Sequence, residues 1–158
     1  MSKISGGDKL EAALASIGER MKFQMNVGIL AGATNSENNE LIAPYAAANE
    51  FGTRDIPARP FMRNTVADKS GEWADTLGKL ISRKPATPEG INSAFSVLGE
   101  VMVQDIRDTI EKIVPPPNAE HTVELKTKKG RANPTQTLVD SGSMQKAVNF
   151  EIITGEQE

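Results

Sequence analysis

The feature that most constrains this 158-residue chain is one long, periodically apolar stretch enclosed by prolines. Thr87-Pro88-Glu89 supplies an N-cap, a proline for the first helical position and an acid for the positive end of the helix dipole. The side chains that then recur every three or four residues are Ile91, Phe95, Leu98, Met102, Ile106, Thr109 and Ile113. Pro115-Pro116-Pro117 stops the pattern. The sequence therefore predicts a helix of roughly 40 Å, about the width of a whole domain of this size.

Composition narrows the class of protein. The length fits one domain over 1–158, and 38% hydrophobic residues are enough to bury a core. A net charge of −3 argues against a dedicated DNA-binding protein, and the absence of cysteine excludes disulfides and thiolate metal sites. No apolar run approaches the roughly 20 residues of a membrane helix. We expect a soluble cytoplasmic product with flexible ends at about 1–7 and 154–158.

Shorter patterns place the other elements. The predicted helices are Asp8–Phe23, Leu41–Phe51 and Pro60–Ile81, and the predicted strands are Gln24–Ala31 and the alternating stretch that begins at Val148. The expected apolar face of the Pro60–Ile81 helix consists of Met62, Val66, Trp73, Leu77 and Leu80. Together these elements predict an α+β fold, a small, mainly antiparallel sheet with two or three long helices packed on one face.

Two polar segments, at about 32–40 and 118–134, are predicted to be mobile loops. The second carries a basic cluster of Lys126, Lys128, Lys129 and Arg131. Three interpretations of this cluster stay open: a soluble loop, a docking site for an acidic protein surface, or a contact with DNA phosphates. Because no aromatic residues are interleaved, DNA contact would be non-specific and dependent on salt.

The sequence offers little for catalysis. The single histidine, His121, lies in a polar segment with only Glu120 and Glu124 as nearby carboxylates, and the His/Cys spacing of a zinc site is missing. Asp140-Ser141-Gly142-Ser143 is typical of a turn rather than of a nucleophile. The acids of the long predicted helix are Glu100, Asp105, Asp108 and Glu111. They are expected to form a solvated face, or a face that meets a basic patch on a neighbour. We predict no catalytic, cofactor-binding or metal-binding residue, hence no enzyme and no cofactor.

Two segments resemble a pattern shared by a broad group of phage proteins. Tyr45–Thr53 followed by Ile56–Arg63 resembles a helix ending in A-x-x-x-E-F-G-T, a short loop, and I-P-A-R-P-F opening a second helix. Leu138–Val148 resembles L-x-D-T-G-x-L-x-x-S-I, with mild departures at Ser141, Met144 and Ala147-Val148. The group comprises tail-completion, neck, minor tail and virion-morphogenesis proteins of long-tailed phages, and the resemblance spans about residues 8–153.

The resemblance implies a non-enzymatic structural protein that completes the tail end and joins the tail to the head. Its expected partners are the tail tube or terminator and the head–tail connector, and its expected location is the virion, after assembly in the host cytoplasm. A ring of six copies is expected in the assembled state, with a monomer in isolation. The alternatives are a tail terminator, a head-side adaptor ring, or a DNA-contacting protein of the neck channel.

The first motif has two compatible physical interpretations. Gly52 can end the first helix, and the two prolines at positions 57 and 60 stiffen the connection, so the segment is a rigid corner. Phe51 and Phe61 are expected to fold back on the core, and Arg59 to bind a carboxylate in fork geometry. In the second interpretation the arginines of the corner contribute to an interface. The interface candidates are Glu50, Phe51, Arg54, Arg59, Phe61 and Arg63 in the corner, and Lys126, Lys128, Lys129 and Arg131 in the basic cluster.

Overall fold

The computed structural model describes residues 22–85 and 87–154. In these residues two strands and five helices follow one another in chain order. They are β1 (Phe23–Ile29), α1 (Ile42–Phe51), α2 (Phe61–Arg83), α3 (Pro88–Glu111), α4 (Glu120–Lys128), α5 (Ser143–Lys146) and β2 (Val148–Thr154). The helix predicted at 8–23 lies outside the described residues up to position 21, and its last predicted residue opens β1 instead. In the described part no helix is long and apolar enough to cross a membrane.

The long proline-bounded helix, α3, is the centre of the fold. The Thr87 hydroxyl caps its first turn by accepting the Gly90 N–H at 3.2 Å, as the sequence predicted. The helix packs against both α2 and the sheet. It ends at Glu111, two residues before the predicted apolar stripe does, and Ile113 is 67% exposed.

The sheet has two antiparallel strands, paired from Phe23 opposite Thr154 to Ile29 opposite Val148. The prediction of an α+β fold with helices packed on a small antiparallel sheet is confirmed. The contact between sheet and α3 is close, because a Cβ added to Gly99 would lie 2.5 Å from the Phe150 ring. A helical glycine here lets an aromatic ring pack directly on the helix backbone.

The buried face of α2 differs from the predicted one. Phe61, Thr65 and Trp73 are its buried residues, whereas Val66, expected on this face, is 46% exposed. The reason is a set of polar contacts between the helices: the Thr65 hydroxyl meets the Thr109 hydroxyl at 2.7 Å, and Trp73 Nε1 donates to Asp105 at 2.7 Å. A prediction based on apolar spacing alone does not identify a threonine as buried between two helices.

The segment predicted as a loop at 118–134 contains α4, so that prediction is wrong for its first half. This helix has little apolar periodicity, which is why the sequence did not indicate it. It begins with an acid, Glu120, and its last turn carries Lys126 and Lys128, an arrangement that favours the helix dipole at both ends. The other predicted loop, 32–40, contains turns and one isolated bridge, Thr34 to Leu41.

Candidate functional site

The corner between α1 and α2 is held by a buried carboxylate. Glu50, 5% exposed at the end of α1, accepts the backbone N–H groups of Met62 at 2.8 Å and Arg63 at 3.1 Å. These belong to the first turn of α2, where the flanking Pro60 offers no side chain as a cap. The carboxylate of one helix therefore caps the next helix. The Arg63 guanidinium adds a 2.9 Å bond from Nε to the same carboxylate and a 2.6 Å bond from Nη2 to the Glu50 carbonyl.

Arg59 fastens the same corner to the proline run that follows α3. Its side chain is buried, with Nε 2.8 Å from the Pro116 carbonyl and Nη2 3.0 Å from the Pro117 carbonyl. Burial lowers the pKa of this guanidinium. The expectation that Arg59 binds a carboxylate is wrong, since both acceptors are backbone carbonyls of the same chain. Arg59 therefore stabilises the fold by joining the corner to the proline run after α3.

The two phenylalanines of the corner have opposite positions. Phe61 is buried in the core, as predicted, but Phe51 is 69% exposed, and the prediction that it folds back is wrong. Because Glu50 points inward, its neighbour on the helix points outward. The Arg63 guanidinium lies 5.2 Å from the centre of the Phe51 ring, a cation–π contact. Arg54 is also exposed. Beside Phe51 lies an apolar groove of ≈ 260 Å³, lined in part by Ile29, Ala46 and Met62.

Gly52 gives the corner its shape. Its φ is 77°, which side-chain-bearing residues rarely adopt, and a Cβ here would lie 2.9 Å from the Ala58 nitrogen. The predicted role of this glycine as the end of α1 is confirmed.

The basic cluster is not a continuous charged surface. Lys126 is buried, and its ammonium donates to the carbonyls of Gln136 at 2.6 Å and Val139 at 2.7 Å. Burial lowers the pKa of this ammonium. Lys128, two residues further along α4, stays exposed. A cation that the sequence assigned to a surface therefore lies inside the protein, because the segment that follows α4 folds back over it.

Arg131 and Lys129 are engaged in ion pairs. Arg131 donates to both carboxylate oxygens of Asp140, at 3.0 and 3.1 Å, and to Glu37 at 2.6 Å, while Lys129 lies 3.6 Å from Asp140. The Arg131 hydrogen bond lowers the pKa of Glu37. Burial alone would raise the pKa of Asp140, but the hydrogen bonds of Arg131 and the surrounding positive charges outweigh it, and the net shift is downward. Through Glu37 and Asp140, Arg131 links the 32–40 segment to the second motif, Leu138–Val148.

The Asp140-Ser141-Gly142 segment is a turn, as predicted, with Gly142 at a φ of 78°. The Ser141 and Ser143 hydroxyl oxygens lie 2.7 Å apart, and the Ser143 hydroxyl donates to Asn35 at 3.1 Å. Among the described residues these two hydroxyls bond to each other and to the Asn35 amide. Within residues 22–85 and 87–154 no group of three or more His, Asp or Glu side chains could hold a metal ion.

The two motifs of the sequence meet in one cleft. A cleft of ≈ 300 Å³ is lined by Tyr45 and Asn49 of α1, by residues 137–144, by Lys126, and by Asn35 and Glu40. Burial, and after it the charge of Asp140, raises the pKa of the Tyr45 hydroxyl. This cleft was not predicted from the sequence, because α1 and residues 137–144 are more than eighty residues apart along the chain.

No protein-family model, curated protein or solved structure matches this chain.

Proposed function

We propose that this chain is a structural, non-enzymatic phage protein that completes the tail end and joins the tail to the head. The observation that carries the proposal is the convergence of the two phage-like motifs, Tyr45–Arg63 and Leu138–Val148, on one cleft and its adjoining corner. Segments that come together in space despite their separation in sequence are expected if both serve one surface.

The contacts of the corner fit a role in assembly. Glu50 and Arg59 lock its backbone, so a partner would meet a surface already in its bound shape, with little ordering entropy to lose. On this fixed frame Phe51 exposes an aromatic ring beside an apolar groove. Exposed aromatic side chains and arginines are the residues that most often dominate binding at protein interfaces. The proposed partners are the tail tube or terminator and the connector, with six copies in a ring.

Electron microscopy of a phage in which this gene is deleted tests the proposal. We expect DNA-filled heads and separate tails, and normal joined virions would overturn it. Complementation then locates the surface. Wild-type protein and Ile113→Ala should restore joining, whereas Phe51→Ala should not. Phe51 and Ile113 are 69% and 67% exposed, so both variants remove a similarly exposed apolar side chain, one at the corner and one after α3.

A neck-channel protein that contacts DNA is the competing candidate, and three of the four cations of the basic cluster are already engaged. Lys126 is buried, and Lys129 and Arg131 are paired with Asp140. Binding of duplex DNA by the purified protein, measured from low to physiological salt, decides between the two. We expect no measurable affinity, and binding that weakens steeply with salt would favour the DNA candidate.

A further inference from the structure

The cleft between the two motifs contains a buried cation with unused bonding capacity. An ammonium has three N–H donors, and Lys126 uses two of them in hydrogen bonds to the carbonyls of Gln136 and Val139. Lys126 also lines the cleft, and its third donor has no hydrogen-bond acceptor among the described residues. Among the described residues no carboxylate forms an ion pair with it. A buried charge that meets only neutral carbonyls gains substantially from an anion placed beside it.

The surrounding charges also favour an anion. The groups that act electrostatically on Lys126 are three cations, Arg59, Lys129 and Arg131, and one anion, Asp140. That anion is already shared, because Arg131 donates to both of its oxygens and Lys129 lies 3.6 Å away. Counted as groups, the cations that act on Lys126 outnumber the anions, although Asp140 has the largest single effect of these charges and Glu40 also lines the cleft.

The remaining walls suit a small organic acid group. Tyr45 and Ser141 bring hydroxyl groups to the cleft, while Leu138 and Met144 supply apolar surface. The volume of ≈ 300 Å³ holds a single amino-acid side chain or a chain terminus. A doubly charged group such as phosphate is less suitable, because Asp140 and Glu40 line the same cleft and would repel it more strongly.

We propose that this cleft binds one carboxylate group carried by another protein chain, and that the Lys126 ammonium receives it. The identity of that chain as a neighbouring tail or neck protein rests on the proposed function, whereas the binding of a carboxylate does not. Lys126 then has two roles. It holds the segment after α4 in place, and it presents one charged donor to a partner.

Two-dimensional NMR of the full-length, ¹⁵N-labelled protein tests this binding. The probe is N-acetyl-L-alanine, a blocked residue with a free carboxylate, and the control is its neutral methylamide. We expect the acid to shift the amide signals of residues 141–143 saturably, with a dissociation constant on the order of 1 mM. The methylamide should leave them in place. The absence of a saturable shift, or an equal shift with the methylamide, would refute the proposal. Tighter binding of inorganic phosphate would refute the choice of a carboxylate.

A pair of variants on α4 assigns the binding to one cation. Lys126→Met keeps the length of the side chain and removes its charge, and we expect it to weaken binding of the acid by about tenfold or more. Lys128→Met makes the same chemical change on the exposed side of the helix and should bind like the wild type. Unchanged binding in Lys126→Met would overturn the role of this lysine. If that variant does not fold, the comparison of acid with methylamide on the wild-type protein still decides whether the cleft binds a carboxylate.

The outcomes separate this proposal from the proposed function. Carboxylate binding together with normal virions from the deletion phage would leave the site standing and remove its role in tail completion. Separate heads and tails without carboxylate binding would support the role in tail completion and refute the carboxylate site.

Discussion

Replacing Glu50 tests whether one helix caps the next across the corner. Glu50→Ala removes the acceptor of two backbone N–H groups, Met62 at 2.8 Å and Arg63 at 3.1 Å, at the buried start of α2. Hydrogen bonds to a charged group contribute about 1.5–3 kcal/mol each, and loss of an N-cap costs about 0.5–2 kcal/mol. Both figures describe the same two capping bonds, so they are not added, and the expected loss lies between the value for a lost cap and the sum for two charged hydrogen bonds. We therefore expect the free energy of unfolding to fall by about 2–4 kcal/mol.

Graded replacements separate the cap from the ion pair. Glu50→Gln keeps one oxygen acceptor without the charge, so its cost should be about half that of Glu50→Ala. Arg63→Met removes the ion pair and leaves the cap intact. Because the Arg63 side chain is 57% exposed, the loss should be about 1 kcal/mol.

Urea denaturation followed by circular dichroism measures all three variants. On thermal melting, Glu50→Ala should lower the midpoint by about 4–16 °C, given about 2–4 °C per kcal/mol for a chain of this size. The refuting result is an Arg63→Met variant as destabilised as Glu50→Ala. It would mean that the ion pair, and not the capping of α2, holds the corner.

Two further predictions concern packing and charge. Gly99→Ala should destabilise the fold by about 1 kcal/mol, because the new Cβ meets the Phe150 ring and this overpacking exceeds the gain in helix propensity. Gly78→Ala, on the open side of α2, should instead stabilise by up to about 1 kcal/mol in the same urea assay, and equal effects would refute the close contact. The folded-state pKa of Asp140 is depressed, so its contribution is present above its unfolded pKa of about 3.9 and is lost as pH falls through the lower folded value. Asp140→Asn should therefore cost about 1 kcal/mol near pH 7 by loss of the Arg131 pair, with the gap to wild type closing as the pH falls through the depressed folded-state pKa, and a gap independent of pH would contradict the pairing.

The parts of the fold that the sequence predicted depend on local signals. The capped, proline-bounded α3 and the alternating β2 were predicted because each signal lies within or beside its own element. The helix α4 was missed for the same reason. Its stabilising contacts come from residues that follow it, through the Lys126 ammonium and the carbonyls it binds, and a window of helical spacing does not include them.

The candidate site was predicted only in part. The Gly52 turn and the Gly142 turn were predicted, since a glycine among turn formers is a local signal. The burial of Lys126 and the exposure of Phe51 were not, because residue type gave the opposite expectation for each. A lysine can be buried when backbone carbonyls converge on it, and a phenylalanine is exposed when its helical neighbour is the residue that turns inward. Both outcomes are set by tertiary packing.

The three arginines of the corner, all of them interface candidates from the sequence, differ in what a mutation can reveal. Arg59 donates to two carbonyls after α3, so replacing it disturbs the fold before it disturbs any interface. Arg54 is exposed, and Arg63 combines an exposed guanidinium with a contact to the Phe51 ring. A joining defect in an Arg59 variant would therefore say little about partners. The same defect in an Arg54 variant of wild-type stability would place the partner surface at the corner, beside Phe51 and its groove.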